Sequence, residues 1–299
     1  MKKSLSRKSK VVDSLWGYAM ILPLLIGLSV FYFYPFVQVL IDSFYNVGAF
    51  NKRSFAGLNN YVQMLSDEKM WGTMGNTFQY VLLIVPITII LSLVLAGLLN
   101  TKIRGVGLFR VIYFIPTVTM SAAIAMVWRW IFNGDYGILN YIMTLLGQPA
   151  RYWLGEQETA LLCISIVTIW MGIGYNMVIL LAGMQGISRS YYEAADLDGV
   201  SKPKQFLHIT LPLITPTLFF VMITIVISTF QIFDVIYMMI PMKSAAMDYT
   251  QSVVMYFYRN AFTFSQKGYA SSVAVLLFVI IMAITMLQMK LQKKWVHYE

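Results

Sequence analysis

The sequence predicts an all-α membrane protein with six transmembrane helices and both termini in the cytoplasm. Hydrophobic residues make up 59% of the 299 positions and charged residues only 12%, whereas soluble domains carry about one quarter charged residues. The charged residues leave six long apolar stretches, and about 20 apolar residues are enough to cross the hydrocarbon core as a helix. Basic residues cluster between alternate stretches, which indicates the orientation in the membrane.

The six apolar stretches follow one another along the chain. Five hold no charged residue, and the fifth in chain order is interrupted only by His208 and Asp234. The stretches lie between Asp13 and Asp42, Lys69 and Lys102, Arg110 and Arg129, Glu158 and Arg189, Lys204 and Lys243, and Lys267 and Lys290. Backbone groups in lipid must pair internally, so we predict helices. Barrel strands would alternate in polarity over about ten residues, and these stretches do not.

Each predicted element has a place in this order. Helix one covers about 16–41, after a basic tail at 1–15, and its apolar run is longer than that of a cleaved signal peptide. An outer segment, 42–76, has apolar spacing typical of a short interfacial helix, through Phe55, Leu58, Tyr61, Met64, Leu65 and Trp71. Helices two to six are predicted at about 77–101, 108–132, 159–184, 213–241 and 269–289, with a second outer segment at 133–157.

This order divides the chain into three parts. The first part, 1–76, holds the tail, the first helix and the outer segment. The core domain covers 77–290 and includes a cytoplasmic loop at 185–212. A cytoplasmic tail follows at 291–299.

The distribution of basic residues explains the net charge of +9. The predicted cytoplasmic segments hold Lys2, Lys3, Arg7, Lys8 and Lys10, then Lys102, Arg104 and Arg110, then Arg189, Lys202 and Lys204, and finally Lys290, Lys293 and Lys294. Cytoplasmic loops of membrane proteins carry such an excess. The charge therefore indicates topology and contact with membrane lipid rather than nucleic-acid binding.

Few residues favour catalysis or metal binding. The single cysteine, Cys163, excludes an internal disulfide, and its apolar surroundings predict a small buried side chain. His208 and His297 are far apart, so no metal site is predicted. The phosphate-binding pattern G-x-x-x-x-G-K followed by Ser or Thr does not occur. We predict that the chain is not an enzyme and that a separate subunit binds any ATP that drives it.

The polar loop between helices four and five has a marked helix pattern. Ser190 and Glu193 fit a capping box, so a helix over 191–198 is predicted, ending at Gly199. Ser201 begins a second short helix that should end near Thr210, because the following Pro212 restricts its neighbour. The loop is interpreted either as a well-capped connector or as a docking site for another protein. Membrane helices on both sides disfavour a DNA-binding helix-turn-helix.

The loop sequence is the most specific motif of the chain. Glu193-Ala194-Ala195, Gly199, Ile209 and Leu211-Pro212 form the pattern E-A-A-x3-G-x9-I-x-L-P. With this pattern the chain resembles the membrane subunits of bacterial binding-protein-dependent ABC importers. Further segments resemble the carbohydrate branch, on the side of the maltose-type first permease: Phe55–Tyr61, Asn76-Thr77, Phe233–Tyr237, Tyr256–Phe262 and Gly268–Ser271.

The resemblance implies an architecture and a set of partners. It implies a type I importer permease fold in the bacterial inner membrane, with no cofactor in this chain. The expected partners are a second homologous permease, by preference a different one, two ATPase subunits that hold ATP and Mg, and an extracytoplasmic sugar-binding protein. The ATPase would grip the loop helix: Glu193 would contact a basic residue, Ala194 and Ala195 would permit close approach, Gly199 would permit the turn, and Tyr191 and Tyr192 would fill apolar positions.

Polar side chains inside predicted membrane helices indicate a binding site. Gly172, Tyr175 and Asn176 on helix four, and Ser228, Thr229 and Gln231 on helix five, suit a sugar, or alternatively join helices together, with Gly172 and Gly174 allowing close packing. The resemblance assigns sugar contacts to Gly172, Tyr175, Ser228, Thr229 and Ile232. Ile232 is apolar where the maltose system has an amide. Whether the ligand is a monosaccharide, an oligosaccharide or another polyol such as a glycerol phosphate stays open.

The outer end of helix five leaves further alternatives open. Asp234 either pairs with Arg259 or another outer residue, or lines the path of the ligand. Met238–Ser244 replaces the M-T-x-G-G-P that is usual in the carbohydrate branch, so the contact with a binding protein is open there. The alternative function is an ion-coupled secondary carrier of a small polar solute with Asp234 as its ion site. Such carriers commonly show two repeats, and no repeat is evident here.

Overall fold

The structure of the chain is a computed structural model that describes residues 7–47, 52–101 and 104–296. Among the basic residues named above, Lys2, Lys3 and Lys102 lie outside the described residues, as does His297. The described α-helices are α1 (Arg7–Leu28), α2 (Tyr34–Asp42), α3 (Asn59–Ser66), α4 (Glu68–Leu99), α5 (Val106–Val118), α6 (Ser121–Ile131), α7 (Ile138–Leu145), α8 (Gln157–Gln185), α9 (Arg189–Leu197), α10 (Lys202–Gln205), α11 (Leu211–Leu213), α12 (Thr215–Phe230), α13 (Asp234–Met239), α14 (Ala246–Thr250), α15 (Val253–Tyr258) and α16 (Lys267–Gln292). Wider π-helical turns occupy Ser29–Phe33, Phe206–Thr210 and Arg259–Thr263, and two short strands are β1 (Tyr45–Val47) and β2 (Arg53–Phe55).

The described part of the chain forms two compact units. One contains the described residues up to Met64 together with Asn260–Val275, and the other contains Leu65–Arg259 together with the described residues from Leu276 onward. The predicted boundary at 76 and 77 stays a prediction.

The first unit begins with a long apolar helix. α1 and α2 form a candidate membrane span over Ser14–Asp42, and the most apolar 18 residues of this span include no buried residue. The predicted first helix, 16–41, lies inside this span. Apolar surface of this extent suits contact with lipid or with another membrane helix.

The outer segment differs from its prediction as one interfacial helix. β1 and β2 pair as an antiparallel hairpin with Tyr45 opposite Phe55, so Phe55 is in a strand. The buried Asn60 on α3 donates to the carbonyls of Ser43 (2.9 Å) and Tyr45 (3.0 Å), which fixes α3 against the hairpin.

The second transmembrane helix starts earlier than the predicted residue 77. The Asp67 carboxylate accepts a hydrogen bond from the Lys69 backbone N–H (2.9 Å), so a new helix starts at Glu68. Trp71 therefore belongs to α4 rather than to an interfacial helix.

The second unit has its core where α4, α8 and α12 meet. α5 packs on α8, and α13 packs on α6 and α8. One cluster of buried side chains joins α4, α8, α13 and α14, and it includes Tyr80, Ile164, Val167, Ile236 and Met247. Cys163 belongs to this core, as predicted.

Helix three is not the single helix predicted at 108–132. α5 and α6 meet at an angle of 97°. Pro116 lies in the last turn of α5 and lacks an N–H, and Thr119 takes an extended conformation. These two features end α5 and turn the chain.

Helix five is also broken, against the prediction of one helix over 213–241. α12 ends at Phe230, and α13 begins at Asp234 after an irregular step at 231–233. The buried Ser252 hydroxyl donates to the carbonyl of Ile232 and accepts from the N–H of Met255 (3.1 Å). A backbone carbonyl released by the break is therefore satisfied by a side chain.

We expect Ser252→Ala to lower the free energy of unfolding by about 1–3 kcal/mol, because the buried Ile232 carbonyl loses its donor. Thermal unfolding of the purified chain in detergent measures the loss. Ser165→Ala is the matched control, because the Ser165 hydroxyl bonds only to Leu161, one turn earlier in α8. Equal losses in the two variants would contradict the assigned role of Ser252.

The number of spans follows from these breaks. Four described helices, including the α1–α2 span, are long and apolar enough to cross a membrane, and six spans result if each bent pair counts as one. The second bent pair joins Lys202–Leu213 to α12 at an angle of 70°. Six crossings and cytoplasmic termini stay predictions.

Candidate functional site

The loop after α8 forms an elbow of two helical arms, residues 188–213. The first arm, α9, begins two residues before the predicted start, and the capping box is wrong. Ser188, whose backbone angles are not helical, precedes the helix, and Ser190 lies in the first turn. The Ser190 hydroxyl therefore meets the Ser188 hydroxyl (2.8 Å) and not a free amide. The Glu193 carboxylate is consequently not used for capping.

The end of α9 confirms the predicted stop at Gly199. This glycine has φ of 69°, which is the left-handed region. The Val200 N–H donates to the Ala195 carbonyl (2.9 Å), and the Gly199 N–H donates to the Asp196 carbonyl (3.1 Å). Together these bonds form a Schellman motif that reverses the chain toward the second arm.

The second arm runs further than the predicted end near Thr210. α10, the π turn and α11 continue to Leu213. The Leu211 N–H reaches back five residues to the Phe206 carbonyl. This wider turn accommodates the Pro212 ring, which in a regular α-helix would clash with the carbonyl four residues earlier.

Polar side chains hold the two arms together. The Lys202 ammonium contacts the Asp196 carboxylate (2.6 Å). The buried Gln205 amide donates to the same carboxylate (2.6 Å) and to the Val200 carbonyl (2.9 Å). The Tyr192 hydroxyl meets the Thr210 hydroxyl (2.8 Å).

We call Asp196, Lys202 and Gln205 the clamp, and its strength depends on pH because the Asp196 carboxylate can be protonated. Hydrogen bonds from Lys202 first, and then from Gln205, lower the pKa of Asp196 below its ordinary value of 3.8. A lowered folded-state pKa stabilises the elbow above the ordinary value, and the contribution is lost as the pH falls through the lowered value.

We therefore expect intrinsic-rate-corrected hydrogen exchange over residues 189–205 to be equal at pH 5 and pH 8. Asp196→Asn should raise exchange there at pH 7, because the ion pair with Lys202 is lost. Asp198→Asn, at the neighbouring exposed position, is the control and should leave exchange unchanged. Slower or unchanged exchange in Asp196→Asn would contradict the clamp.

α9 has an inner and an outer face. Tyr192 and Ala195 face inward, and the Tyr192 hydroxyl contacts the Thr210 hydroxyl of the second arm. Four other residues of the predicted docking set are exposed: Tyr191, Glu193, Ala194 and Gly199. The Glu193 carboxylate makes no hydrogen bond or ion pair with the described residues.

Leu197 is a residue of the outer face that the sequence reasoning missed. It is 90% exposed, although it is a large apolar side chain. It follows Ala194 by three residues and Glu193 by four, a spacing that places all three on one face of a helix. A large apolar residue at that spacing in an otherwise polar loop could have identified Leu197 from the sequence.

A cavity of about 500 Å³ lies beside α8 and the break between α12 and α13. Six of the seven predicted binding residues line it: Gly172, Tyr175, Asn176, Ser228, Gln231 and Ile232. The seventh, Thr229, is buried and lies outside the lining. The cavity therefore collects residues from both predicted helices.

Further lining residues were not predicted. Thr117, Ser121 and Thr168 add hydroxyl groups, and Phe233 adds an aromatic ring. Thr117 and Ser121 flank the turn between α5 and α6, which the sequence reasoning treated as continuous helix. The signal was a hydroxyl-bearing residue inside an apolar stretch.

Some polar side chains of the cavity already form hydrogen bonds within the protein, and others do not. The Asn176 amide donates to the Gly172 carbonyl (2.8 Å) and the Ser228 hydroxyl to the Ile225 carbonyl (3.0 Å), each within its own helix. The side chains of Tyr175 and Gln231 are exposed and have no hydrogen-bond partner among the described residues. These two groups can bind a ligand without breaking an existing bond.

Asp234 also lines the cavity. It forms no ion pair with any described residue. The Arg259 guanidinium donates instead to the Gln251 side chain (2.8 Å). The predicted pairing of Asp234 with Arg259 is therefore wrong.

Two glycines of α8, Gly172 and Gly174, have different surroundings. A Cβ on Gly174 would lie 1.9 Å from the Tyr113 carbonyl oxygen, so this glycine allows α5 to pack against α8. A Cβ on Gly172 would lie 3.5 Å from the Thr88 methyl group, an ordinary contact. The prediction that a glycine of α8 allows close helix packing therefore holds for Gly174, whereas Gly172 borders the cavity.

Comparison with known proteins covers both the elbow and the cavity. The family model described as "Binding-protein-dependent transport system inner membrane component" matches residues 88–298. The chain is 35% identical over 302 residues to the probable ABC transporter permease protein YesP of Bacillus subtilis (strain 168), covering 100% of this chain and 96% of that protein. It is 32% identical over 291 residues to the trehalose/maltose transport system permease protein MalF of Thermococcus litoralis, covering 97% and 98%.

A solved structure shows the same fold. The structure is that of a bacterial ABC transporter involved in the import of the acidic polysaccharide alginate. The superposition has a TM-score of 0.86 at 20% sequence identity and covers 97% of this chain and 99% of the other.

Proposed function

The chain belongs to the family of binding-protein-dependent transport system inner membrane components, and from this premise we propose that it is the permease subunit of an ATP-driven sugar importer. The observation that carries the proposal is the elbow, whose E-A-A helix presents an unpaired Glu193 and an exposed Leu197. Relatives named as trehalose/maltose and lactose permeases support a sugar as the ligand. The chain itself has no phosphate-binding loop, so a partner hydrolyses the ATP.

The outer face of α9 is the ATPase contact in this proposal. Leu197 enters an apolar recess of the ATPase, and Glu193 pairs with a basic residue beside it. A few well-packed, desolvated side chains near the centre of an interface contribute most of its binding energy. The clamp of Asp196, Lys202 and Gln205 keeps the two arms of the elbow as one body, so that movement of α9 reaches α12.

The cavity holds the sugar on its way across the membrane. Its volume lies within the range of about 300–1,000 Å³ that is usual for small-molecule sites. Tyr175 and Phe233 offer ring faces for the C–H side of a sugar, and Ser228, Gln231 and Asn176 offer hydrogen bonds to hydroxyl groups. Thr229 contributes by packing, because it is buried outside the lining.

The assembly completes the path. A second, different permease supplies the other half of the cavity, two ATPase subunits with ATP and Mg bind the two elbows, and an extracytoplasmic binding protein delivers the sugar. One solved structure with a similar fold is a bacterial alginate ABC transporter in complex with a periplasmic protein that binds an alginate pentasaccharide. In this arrangement the chain crosses the bacterial inner membrane six times with both termini inside.

Transport by reconstituted vesicles tests the proposal. We expect uptake of the sugar that the binding protein selects only when both permeases, the ATPase, the binding protein and ATP are present. Glu193→Lys should reduce uptake, with Glu193→Gln as the milder control. Uptake that continues without the ATPase and stops with an ionophore would favour the ion-coupled carrier and overturn the proposal.

A further inference from the structure

Asp234 stands apart from the other residues of the cavity. Among the described residues that line it, Asp234 is the only one with a charged side chain. The other described residues of the lining have uncharged polar or apolar side chains, or are glycine. The carboxylate is exposed and forms no ion pair or hydrogen bond with the described residues. This part of the cavity therefore carries an uncompensated negative charge.

The surroundings strengthen the field of this charge. Ile225, Ile232 and Val235 border the same space with buried apolar side chains. Low-dielectric walls concentrate the field of a charge inside a cleft. An anion brought into such a space meets repulsion and also loses its hydration. A neutral hydroxyl group or an ammonium group, in contrast, can donate a hydrogen bond to the carboxylate.

We propose that Asp234 makes the cavity selective by charge, so that it accepts neutral or amino-bearing sugars and rejects anionic ones. The inference deepens the proposed function, because it names the class of sugar that the same cavity takes. It also distinguishes this chain's ligand from an acidic polysaccharide and from a sugar or polyol phosphate.

A neighbouring aromatic group supports a role in ligand binding. The Phe233 ring stacks on Tyr237 (ring centroids 5.3 Å apart, interplanar angle 25°) and also contacts Tyr258 (5.1 Å). This packing holds Phe233 beside Asp234 at the cavity. An aromatic face next to a carboxylate suits the apolar face and the hydroxyl groups of one sugar ring.

Thiol labelling with charged reagents measures the field directly. The only native cysteine, Cys163, is buried, so Ser228→Cys places an accessible thiol of this chain in the cavity. The assembled importer is treated with a cationic trimethylammonium-ethyl or an anionic sulfonatoethyl methanethiosulfonate, and the mass of this chain reports the modification. Each rate constant is divided by that of the same reagent with a free thiol in solution.

We expect the corrected cationic rate to exceed the anionic rate at least about tenfold, which is the lower end of the effect of a charged cleft. Asp234→Asn in the Ser228→Cys background should bring the ratio close to one. Asp248→Asn is the matched control, because it removes the same charge from an exposed position outside the lining, and it should preserve the ratio.

Two results would overturn the inference: a ratio close to one with Asp234 present, or a ratio that Asp234→Asn does not change. The proposed function has a separate outcome. If the assembly with Ser228 unchanged performs no ATP-dependent uptake while the labelling ratio of the Ser228→Cys assembly depends on Asp234, the proposed function fails and the proposed charge of the cavity is retained. If uptake occurs without any charge preference in labelling, the inference fails alone.

Discussion

Replacing Leu197 by aspartate is expected to reduce ATP-dependent uptake about thirtyfold while the thermal stability of the purified chain stays unchanged. The side chain is 90% exposed, so the fold gains little from it. In the proposed assembly it fills an apolar recess of the ATPase, and loss of such a central contact costs about 2 kcal/mol, which corresponds to that factor. Uptake and ATPase stimulation in proteoliposomes measure the effect.

Leu197→Met is the control for this prediction. Methionine keeps the apolar volume and adapts to an irregular recess, so uptake should stay within about threefold of the unmodified protein. Full uptake by Leu197→Asp would remove Leu197 from the ATPase contact. A fall in unfolding temperature together with uptake would show that Leu197 acts on the fold instead.

Replacing Gly174 by alanine is expected to lower the free energy of unfolding by roughly 3 kcal/mol, which is the upper end of overpacking effects. The added Cβ would lie 1.9 Å from the Tyr113 carbonyl oxygen and 3.0 Å from the Phe114 Cα atom. Backbone atoms cannot rotate away as a side chain can, so α5 must move from α8. Thermal unfolding and the yield of monodisperse protein in detergent measure the effect.

Gly172→Ala, two residues away on α8, is the matched control. Its Cβ would make only an ordinary contact with Thr88, so stability should change by less than about 1 kcal/mol. This variant adds a methyl group at the cavity and is therefore not a control for uptake. Equal destabilisation by the two alanines would contradict the assignment of the close contact to Gly174.

Much of the fold follows from where charged residues are missing. α4, α8 and α16 lie mostly in the uncharged stretches, and their length and apolar composition together suit membrane crossings. The breaks between α5 and α6 and between α12 and α13 could not be predicted from composition, because an uninterrupted apolar stretch does not show where the helix axis changes direction. The turn after Val118 depends on local backbone angles, and the step at 231–233 depends on Ser252, which is distant in sequence.

The candidate site was predictable where local rules apply. Gly199 ends α9 because a left-handed position favours glycine, and that rule needs no tertiary information. Ser188 and Ser190 are both residue types that favour a helix start. The sequence pattern favoured Ser190, whereas in the structure Ser188 precedes the helix. The exposure of Leu197 and the inward position of Tyr192 depend on how the second arm folds back, which only the three-dimensional structure shows.

The 70° bend at Ile214 sets the angle at which the second arm of the elbow meets α12. In the proposed assembly, a force transmitted along the second arm, Lys202–Leu213, would reach the base of α12 from the side and would tilt that helix rather than push it along its axis. The 16 residues of α12 extend about 24 Å. A tilt of about 5° would then swing the far end by about 2 Å, which is enough to break a hydrogen bond to a sugar hydroxyl. In the proposed assembly, a rotation of a few degrees at Ile214 would therefore be enough to release a sugar bound near the far end of α12.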